Sequence, residues 1–352
     1  MNAAMRAAVV AGLVFMVGLS ASADVFNMGG TRNLDGSWTG LTSLETLLVG
    51  DQGNAADTRY VTPGYGSVGY AYSIGRYEVT AGQYCQFLNA VARTDTYNLY
   101  HQLMWTSAYG CKIQQSGSSG SYTYGVAADS ANRPVNWVSW GDAARFCNWL
   151  YNGQPVGPQG LGTTEDGSYY LNGSTSDKQL LAVIRKPEAS WGIPSEDEWY
   201  KAAYYKGGST NAGYWDYPTA NNIVPSNEVR TPDPGNNANI MNSGGQSMSV
   251  GEFENSRSPY GTFDQGGNVW ERVETAFDSN TLTTRGGSWY STGGGSLHAS
   301  FRSWGYATAE SDSYGFRVVE IPEPATLSLL SLAGSALLAR RRGRGTRLRG
   351  RR

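Results

Sequence analysis

The chain reads as one loop-rich domain with a few helices and short strands, and three features predict it. The first is composition: 46 Gly, 23 Tyr and 11 Trp among 352 residues, with 40% apolar and only 16% charged. A disordered chain would be poor in aromatics, and a helical bundle would be rich in Ala, Leu, Glu and Lys with little Gly. Tight turns packed between large rings suit this composition instead. The second is a set of three helix starts, two of them capping boxes, each followed by apolar residues at helical spacing, so helices are present but few. The third is the remainder: short apolar stretches divided by Gly, Asn, Pro and Asp, without an internal repeat. Roughly 300 residues are left once both ends are set aside, at the upper limit for a single core.

Taken in order, residues 24–69 are rich in Gly, Thr and Asn and read as strands and loops. A strand is expected from Tyr70 to Val79, opening a main domain over 70–321. Thr80 and Gln83 form a capping box ahead of Tyr84, Phe87, Leu88 and Val91, which fall on one helical face. A second helix starts near Ser139, with Asp142 three residues on and Ala143, Phe146, Cys147 and Leu150 on a common face. Ser195 and Glu198 open a third before Trp199, Ala202 and Ala203. The Gly/Ser-rich tracts Ser116–Ser121 and Gly157–Ser176 read as surface excursions. After Tyr204 no helix is expected before the tail.

The net charge of −2 conceals an asymmetry, because eight arginines fall in the last thirteen residues and Arg6 lies near the start. Between Asp24 and Ile321 there are 18 Lys+Arg against 28 Asp+Glu, a net charge of −10. Nucleic-acid binding needs a basic face, so it is excluded as a function. Three cysteines, Cys85, Cys111 and Cys147, are too few for a disulfide framework. Cys85 and Cys147 fall in apolar helical stripes, where thiols act as small hydrophobes.

Both ends read as processing signals. Residues 1–23 hold Arg6, an apolar run from Ala7 to about Leu19, and Ala21-Ser22-Ala23, the small-x-small pattern cleaved by signal peptidase. Residues 322–352 hold Pro322-Glu323-Pro324, an apolar run from Ala325 to Ala339, and an arginine cluster starting at Arg340. As a helix this run spans about 22 Å against a hydrocarbon core of about 30 Å, so it implies only transient membrane association. The arginines would stay cytoplasmic. This three-part tail resembles the PEP-CTERM sorting signal. The resemblance implies an exosortase as partner during export, and a location on the envelope surface or in the extracellular matrix of a Gram-negative bacterium.

Six ordered motifs carry a second resemblance: IGRYEVTAGQYCQFLNAV from Ile74, RPVNWVSWGDAARFCNWL from Arg133, IPSEDEWYKAAYY from Ile193, YGTFDQGGNVWE from Tyr260, RGGSW from Arg285 and GFR from Gly315. Their succession resembles the formylglycine-generating-enzyme, or sulfatase-modifying-factor, family (the FGE-sulfatase domain). It implies a C-type-lectin-like α+β fold. The family's oxidases hold copper on two cysteines shortly after RGGSW, since soft thiolates suit Cu(I). Ser291 and Ser296 stand at those positions here, so copper and formylglycine generation are not expected. A branch using a three-histidine iron site is excluded by a chain with only His101 and His298. No Gly-x-Ser-x-Gly elbow or triad order is present, whereas a glycosidase-type carboxylate pair stays open.

The same resemblance implies calcium, held by the side chains of Asp264 and Glu271 and the carbonyls of Gly267 and Val269, with Asn239 and Ile240 matching part of a second site. The sequence equally allows Asp264 and Glu271 to sit in a capped turn with an ion pair to Arg272 or Arg317. In RGGSW, Gly286 and Gly287 permit close backbone approach, Trp289 fills core and Arg285 is expected to pair with a buried carboxylate. The resemblance also implies that the segment that follows is the ligand surface: Tyr290, His298, Phe301, Arg302, Trp304 and Tyr306, a mixture typical of recognition surfaces, with Trp304 open between surface and core. The function expected is an exported, non-catalytic binding or structural domain, its partner an exopolysaccharide or another surface protein. The alternative is an oxidoreductase-like enzyme with divergent chemistry.

Overall fold

The structure is a computed structural model that describes residues 44–241 and 245–321, with the backbone of three short strands before them: β1 Asp24–Phe26, β2 Thr31–Arg32 and β3 Trp38–Thr39. The signal segment 1–23 and the sorting tail with Pro322, Glu323 and Pro324 lie outside the described residues. Among the described residues no helix is long and apolar enough to cross a membrane.

From Leu44 the elements run β4 Leu44–Val49, β5 Tyr72–Gly75, α1 Ala81–Val91, α2 Leu103–Thr106, β6 Ile113–Ser116, β7 Thr123–Val126 and α3 Trp140–Tyr151. They continue with α4 Asp177–Leu180, β8 Trp191–Gly192, α5 Glu196–Tyr204, β9 Trp270–Ala276, β10 Leu282–Arg285, β11 Ser303–Gly305, β12 Tyr314–Gly315 and β13 Val319–Glu320. An antiparallel sheet runs β1-β4-β5-β13-β8, and a second runs β11-β10-β9-β12, with β12 parallel to β9. This is the mixed α+β architecture expected.

All three expected helices start at their predicted caps. The Thr80, Ser139 and Ser195 hydroxyls each accept the N–H three residues on, and Gln83, Asp142 and Glu198 return the bond to the cap backbone. Helices α1 and α3 then bury one aromatic cluster. Tyr84, Phe87, Phe146, Trp149 and Phe316 meet at ring-centroid distances of 5.3 to 6.5 Å. Cys85, Cys111 and Cys147 are free and buried, and burial raises each thiol out of the reactive range.

Two expectations are corrected. The strand from Tyr70 to Val79 is only four residues long, because the backbone turns at Arg76 to donate to the Glu45 carbonyl. The tract Gly157–Ser176 is not a surface excursion throughout: Thr164, Glu165, Ser168, Tyr169 and Leu171 are buried. Its polar backbone is met by α3, where the Asn148 amide donates to the Thr164 and Tyr169 carbonyls and Arg145 pairs with Glu165 at 2.7 Å.

Arg317 and Glu271, both fully buried, join the two sheets. Arg317 Nε donates to Glu271 Oε2 at 2.5 Å and Nη2 to Oε1 at 2.6 Å, while Nη1 donates to Gly75 O at 2.8 Å and Nη2 to Phe263 O at 2.9 Å. Removing one partner of such a pair leaves the other charge buried and unpaired. Glu271→Gln should therefore destabilise the protein by about 3–5 kcal/mol. Chemical denaturation of the variant checks this, and a loss under about 1 kcal/mol would show the pair to be dispensable.

Candidate functional site

Motifs read separately along the chain meet as neighbouring strands. In the second sheet Glu271 on β9 stands opposite Arg285 on β10 and opposite Gly315 on β12. Loop bonds reinforce the contact: Gly267 N–H donates to the Gly286 carbonyl at 2.9 Å, and Trp289 N–H donates to the Asn268 carbonyl at 2.8 Å. Trp289 is core, and Arg285 finds the expected buried carboxylate in Glu196, with Nε to Oε1 at 2.8 Å.

Gly286 and Gly287 are both needed here. Their φ values are +97° and +79°, a region costly for residues with a Cβ. A Cβ on Gly286 would lie 2.8 Å from the Gln265 carbonyl oxygen. One on Gly287 would lie 2.7 Å from Ser296 Oγ and 3.2 Å from Ser291 Oγ. The two serine hydroxyls thus converge on a single glycine. A turn holds Ser291, whose Oγ accepts Ser288 N–H at 3.0 Å, and a 3₁₀ turn over Gly294–Leu297 presents Ser296.

These serines lie along a groove of about 570 Å³ that is also lined by Trp270, Tyr290, Phe301 and Ser313. Tyr290 is 65% exposed, and the Trp270 and Phe301 rings meet at 5.9 Å. Hydroxyls on one side and exposed rings on the other can hold a ligand by hydrogen bonds and stacking. Trp270 was not anticipated as a lining residue, because the sequence reads its motif as a cation loop.

The expected ligand surface is divided. Tyr290 lies in the groove with Phe301. Trp304 and Tyr306 are both exposed and form a separate edge-to-face pair at 6.1 Å, next to or on the edge strand β11. Arg302 is drawn down onto Glu196, with Nε to Oε1 at 2.8 Å, and lies over the Tyr65 and Phe277 rings. His298 is held between the Tyr60 and Tyr217 rings, and its Nδ1 bonds Ser300 Oγ at 2.7 Å. Distant segments, not local sequence, thus fix these last two.

At the expected calcium positions Asn239 and Gly267 are backbone neighbours, and Ile240 is buried in a small cluster with Leu297. The Asn239 carbonyl already accepts Asn268 N–H at 2.9 Å. Asp264 Oδ2 accepts Gly251 N–H at 2.6 Å. Val269 is buried, and its N–H donates to Glu78. Glu271 has both oxygens on Arg317, and Oε2 also accepts Trp199 Nε1–H at 2.8 Å. The ion pair to Arg317, the other arrangement the sequence allows, is therefore present. Among the described residues no three His, Cys, Asp or Glu side chains are grouped to hold a metal. As they stand these donors do not fit a cation at Glu271.

A match to the sulfatase-modifying factor enzyme 1-like (FGE-sulfatase) domain covers residues 46–321. None of the curated proteins compared with the chain matches it. Among solved structures, Treponema denticola variable protein 1 aligns over 85% of this chain and 99% of its own, at 17% identity and a TM-score of 0.52. CarF aligns over 80% and 99% at 21% identity, and PvdO from Pseudomonas aeruginosa over 85% and 98% at 16%, with TM-scores of 0.47 and 0.43. At such identities the likeness to the Treponema protein speaks for the fold alone.

Burial pushes the half-buried Asp264 carboxyl up to about 6, against the opposing pull of Gly251 N–H and Arg317. The folded protein thus keeps a proton that the unfolded chain releases near pH 4. The stability this group contributes is complete below about pH 4 and is lost as pH rises through about 6. Asp264→Asn should flatten the stability curve in that window. Melting curves of both proteins at successive pH values provide the check, and parallel declines would assign the titration to another group.

Proposed function

Since the chain belongs to the FGE-sulfatase family of sulfatase-modifying-factor-like domains, we propose that it is an exported, non-catalytic member that binds its ligand in the groove beside RGGSW. One observation carries this reading: hydroxyls, Ser291 and Ser296, converge on Gly287 where the family's oxidases would present copper-binding thiolates. Hydroxyls are poor ligands for Cu(I). The chain's three cysteines are buried elsewhere, so the site does not fit copper and no oxidative step is derived through it. A redox metal found at one equivalent per chain would favour the alternative, an oxidoreductase-like enzyme with divergent chemistry.

The ligand we assign is an exopolysaccharide of the producing cell. Exposed Tyr290 beside Phe301 and Trp270 supplies flat apolar faces, and the serines supply hydrogen bonds. Export by an exosortase, through the tail beginning at Pro322-Glu323-Pro324, would put the domain where that polymer lies. Aromatic anchors in such sites are worth about 2 kcal/mol or more. Tyr290→Ala with Phe301→Ala should weaken retention on the producer's polysaccharide at an unchanged melting temperature. Equal retention by the folded double variant would remove the groove from the binding surface.

A second reading, calcium, rests on a different observation. Among the described residues Arg317 pairs with Glu271 alone, while Asp264 Oδ2 meets only the Gly251 N–H and Glu78 only Asn268 and the Val269 N–H, so these two carboxyls have no cation in contact and burial raises both. A divalent cation near Asp264 would relieve this excess of negative charge, although Glu271 could join it only by releasing Arg317. Calcium at 100 times its Kd should then stabilise the fold by about 2.7 kcal/mol, an increment absent from Asp264→Ala. A melting temperature identical in calcium and in chelator would dismiss the cation.

A further inference from the structure

A second cleft, of about 440 Å³, opens between the segment following α1, the short helix α2 and the β6–β7 hairpin. It shares no lining residue with the groove beside RGGSW. Three rings reach it: Trp105, which is 39% exposed, and the partly buried Tyr100 and Tyr122. Three exposed amides accompany them, Asn98, Gln102 and Gln114. Among the described residues none of these three side chains has a hydrogen-bond partner, in contrast to Asn89, Asn136 and Asn148, whose amides are spent on the fold.

The charge of the cleft is equally defined. No Lys or Arg lines it. Its one carboxylate, Asp95, is committed to the backbone: Oδ1 accepts Leu99 N–H at 2.8 Å and Gln159 Nε2–H at 3.1 Å, and Oδ2 accepts Tyr100 N–H at 3.1 Å. An anionic ligand, whether phosphate, sulfate or uronate, would meet no cation there and would face Asp95. A wholly apolar ligand would strand the amides without partners.

We propose that this cleft is a binding site for neutral carbohydrate, with Trp105 as the stacking platform and Asn98, Gln102 and Gln114 reading hydroxyls. A sugar ring is amphipathic: its C–H face packs on an aromatic plane while its hydroxyls each donate and accept. A carboxamide offers one acceptor and two donors, so it can pair with adjacent hydroxyls without bringing charge. The rings supply buried area at low rotamer cost, and the amides supply orientation. This site is independent of the groove reading, and either can fail without the other.

Affinity electrophoresis of the full chain tests it, in gels cast with dextran, galactomannan or polygalacturonate. We expect retardation in at least one neutral gel and none in polygalacturonate. Trp105→Ala should weaken that retardation about tenfold or more. The double variant Gln102→Ala/Gln114→Ala, which touches only exposed side chains, should do the same, and it decides the matter if Trp105→Ala perturbs the near-UV circular dichroism. Tyr290→Ala should leave this retardation unchanged. Migration unaffected by both neutral polymers, preferential retardation by polygalacturonate, or full retardation of the Gln102/Gln114 variant would each overturn the assignment.

Discussion

The buried pair between Arg317 and Glu271 is the constraint on which the rest of the molecule depends. Arg317 lies between β12, in the second sheet, and β13, in the first, where the chain crosses from one sheet to the other. Its guanidinium reaches β9 through Glu271, the end of β5 through Gly75 O, and the loop before β9 through Phe263 O. Trp199 of α5 adds a bond to the same carboxylate. Taking two charges out of water is costly, and attraction offsets that cost only where the remaining donors are also satisfied. Here Nε, Nη1 and Nη2 all are. The stacking of β12, β9 and β10, and with it the path of the backbone through Gly267, Gly286 and Trp289, is built on that junction.

Local chemistry was legible in the sequence and long-range chemistry was not. Capping boxes involve residues three apart, so the starts of α1, α3 and α5 could be read directly at Thr80, Ser139 and Ser195. That Arg285 needs a buried carboxylate was also readable, because an arginine flanked by glycines and a core tryptophan has no water to turn to. That Glu196 supplies it, 89 residues away, was not. The ligand surface shows the same division. The resemblance marked Tyr290 and Tyr306 as rings to display and the sequence left Trp304 open between surface and core; all three are exposed. Neither could show that Glu196 draws Arg302 inward or that Tyr60 and Tyr217 enclose His298. The tract Gly157–Ser176 misled for a related reason: its Gly and Ser content signals a loop, but Asn148 and Arg145 on α3 provide partners that let such a loop be buried.

At the groove, the backbone conformation and the chemistry of the side chains separate. The φ values of Gly286 and Gly287, the turn at Ser288–Ser291 and the 3₁₀ turn over Gly294–Leu297 bring two Oγ atoms to one point. Such convergence is a property of the loop, and it would bring any two short polar side chains together. What the site can do is then decided by the atoms at that point. On the reading proposed above, oxygen in place of sulfur would remove the softness that Cu(I) requires while keeping two hydrogen-bonding groups beside Tyr290 and Trp270. A fold can in this way retain a pocket while its chemistry changes.

Charge adds a constraint common to both candidate surfaces. Between Asp24 and Ile321 the net charge is −10, and among the described residues five cationic side chains, Arg145, Lys201, Arg272, Arg285 and Arg317, are buried. Three of these hold buried partners in Glu165, Glu196 and Glu271, so those pairs cancel within the interior. The charge left to face solvent is therefore strongly acidic. A field of that sign slows the approach of polyanions, an effect that weakens as salt screens it. Neutral polymers are indifferent to it. Were both proposed surfaces to bind glycans, an acidic exterior that displays rings and amides would favour uncharged glycans over acidic ones, through repulsion at long range and stacking at short range.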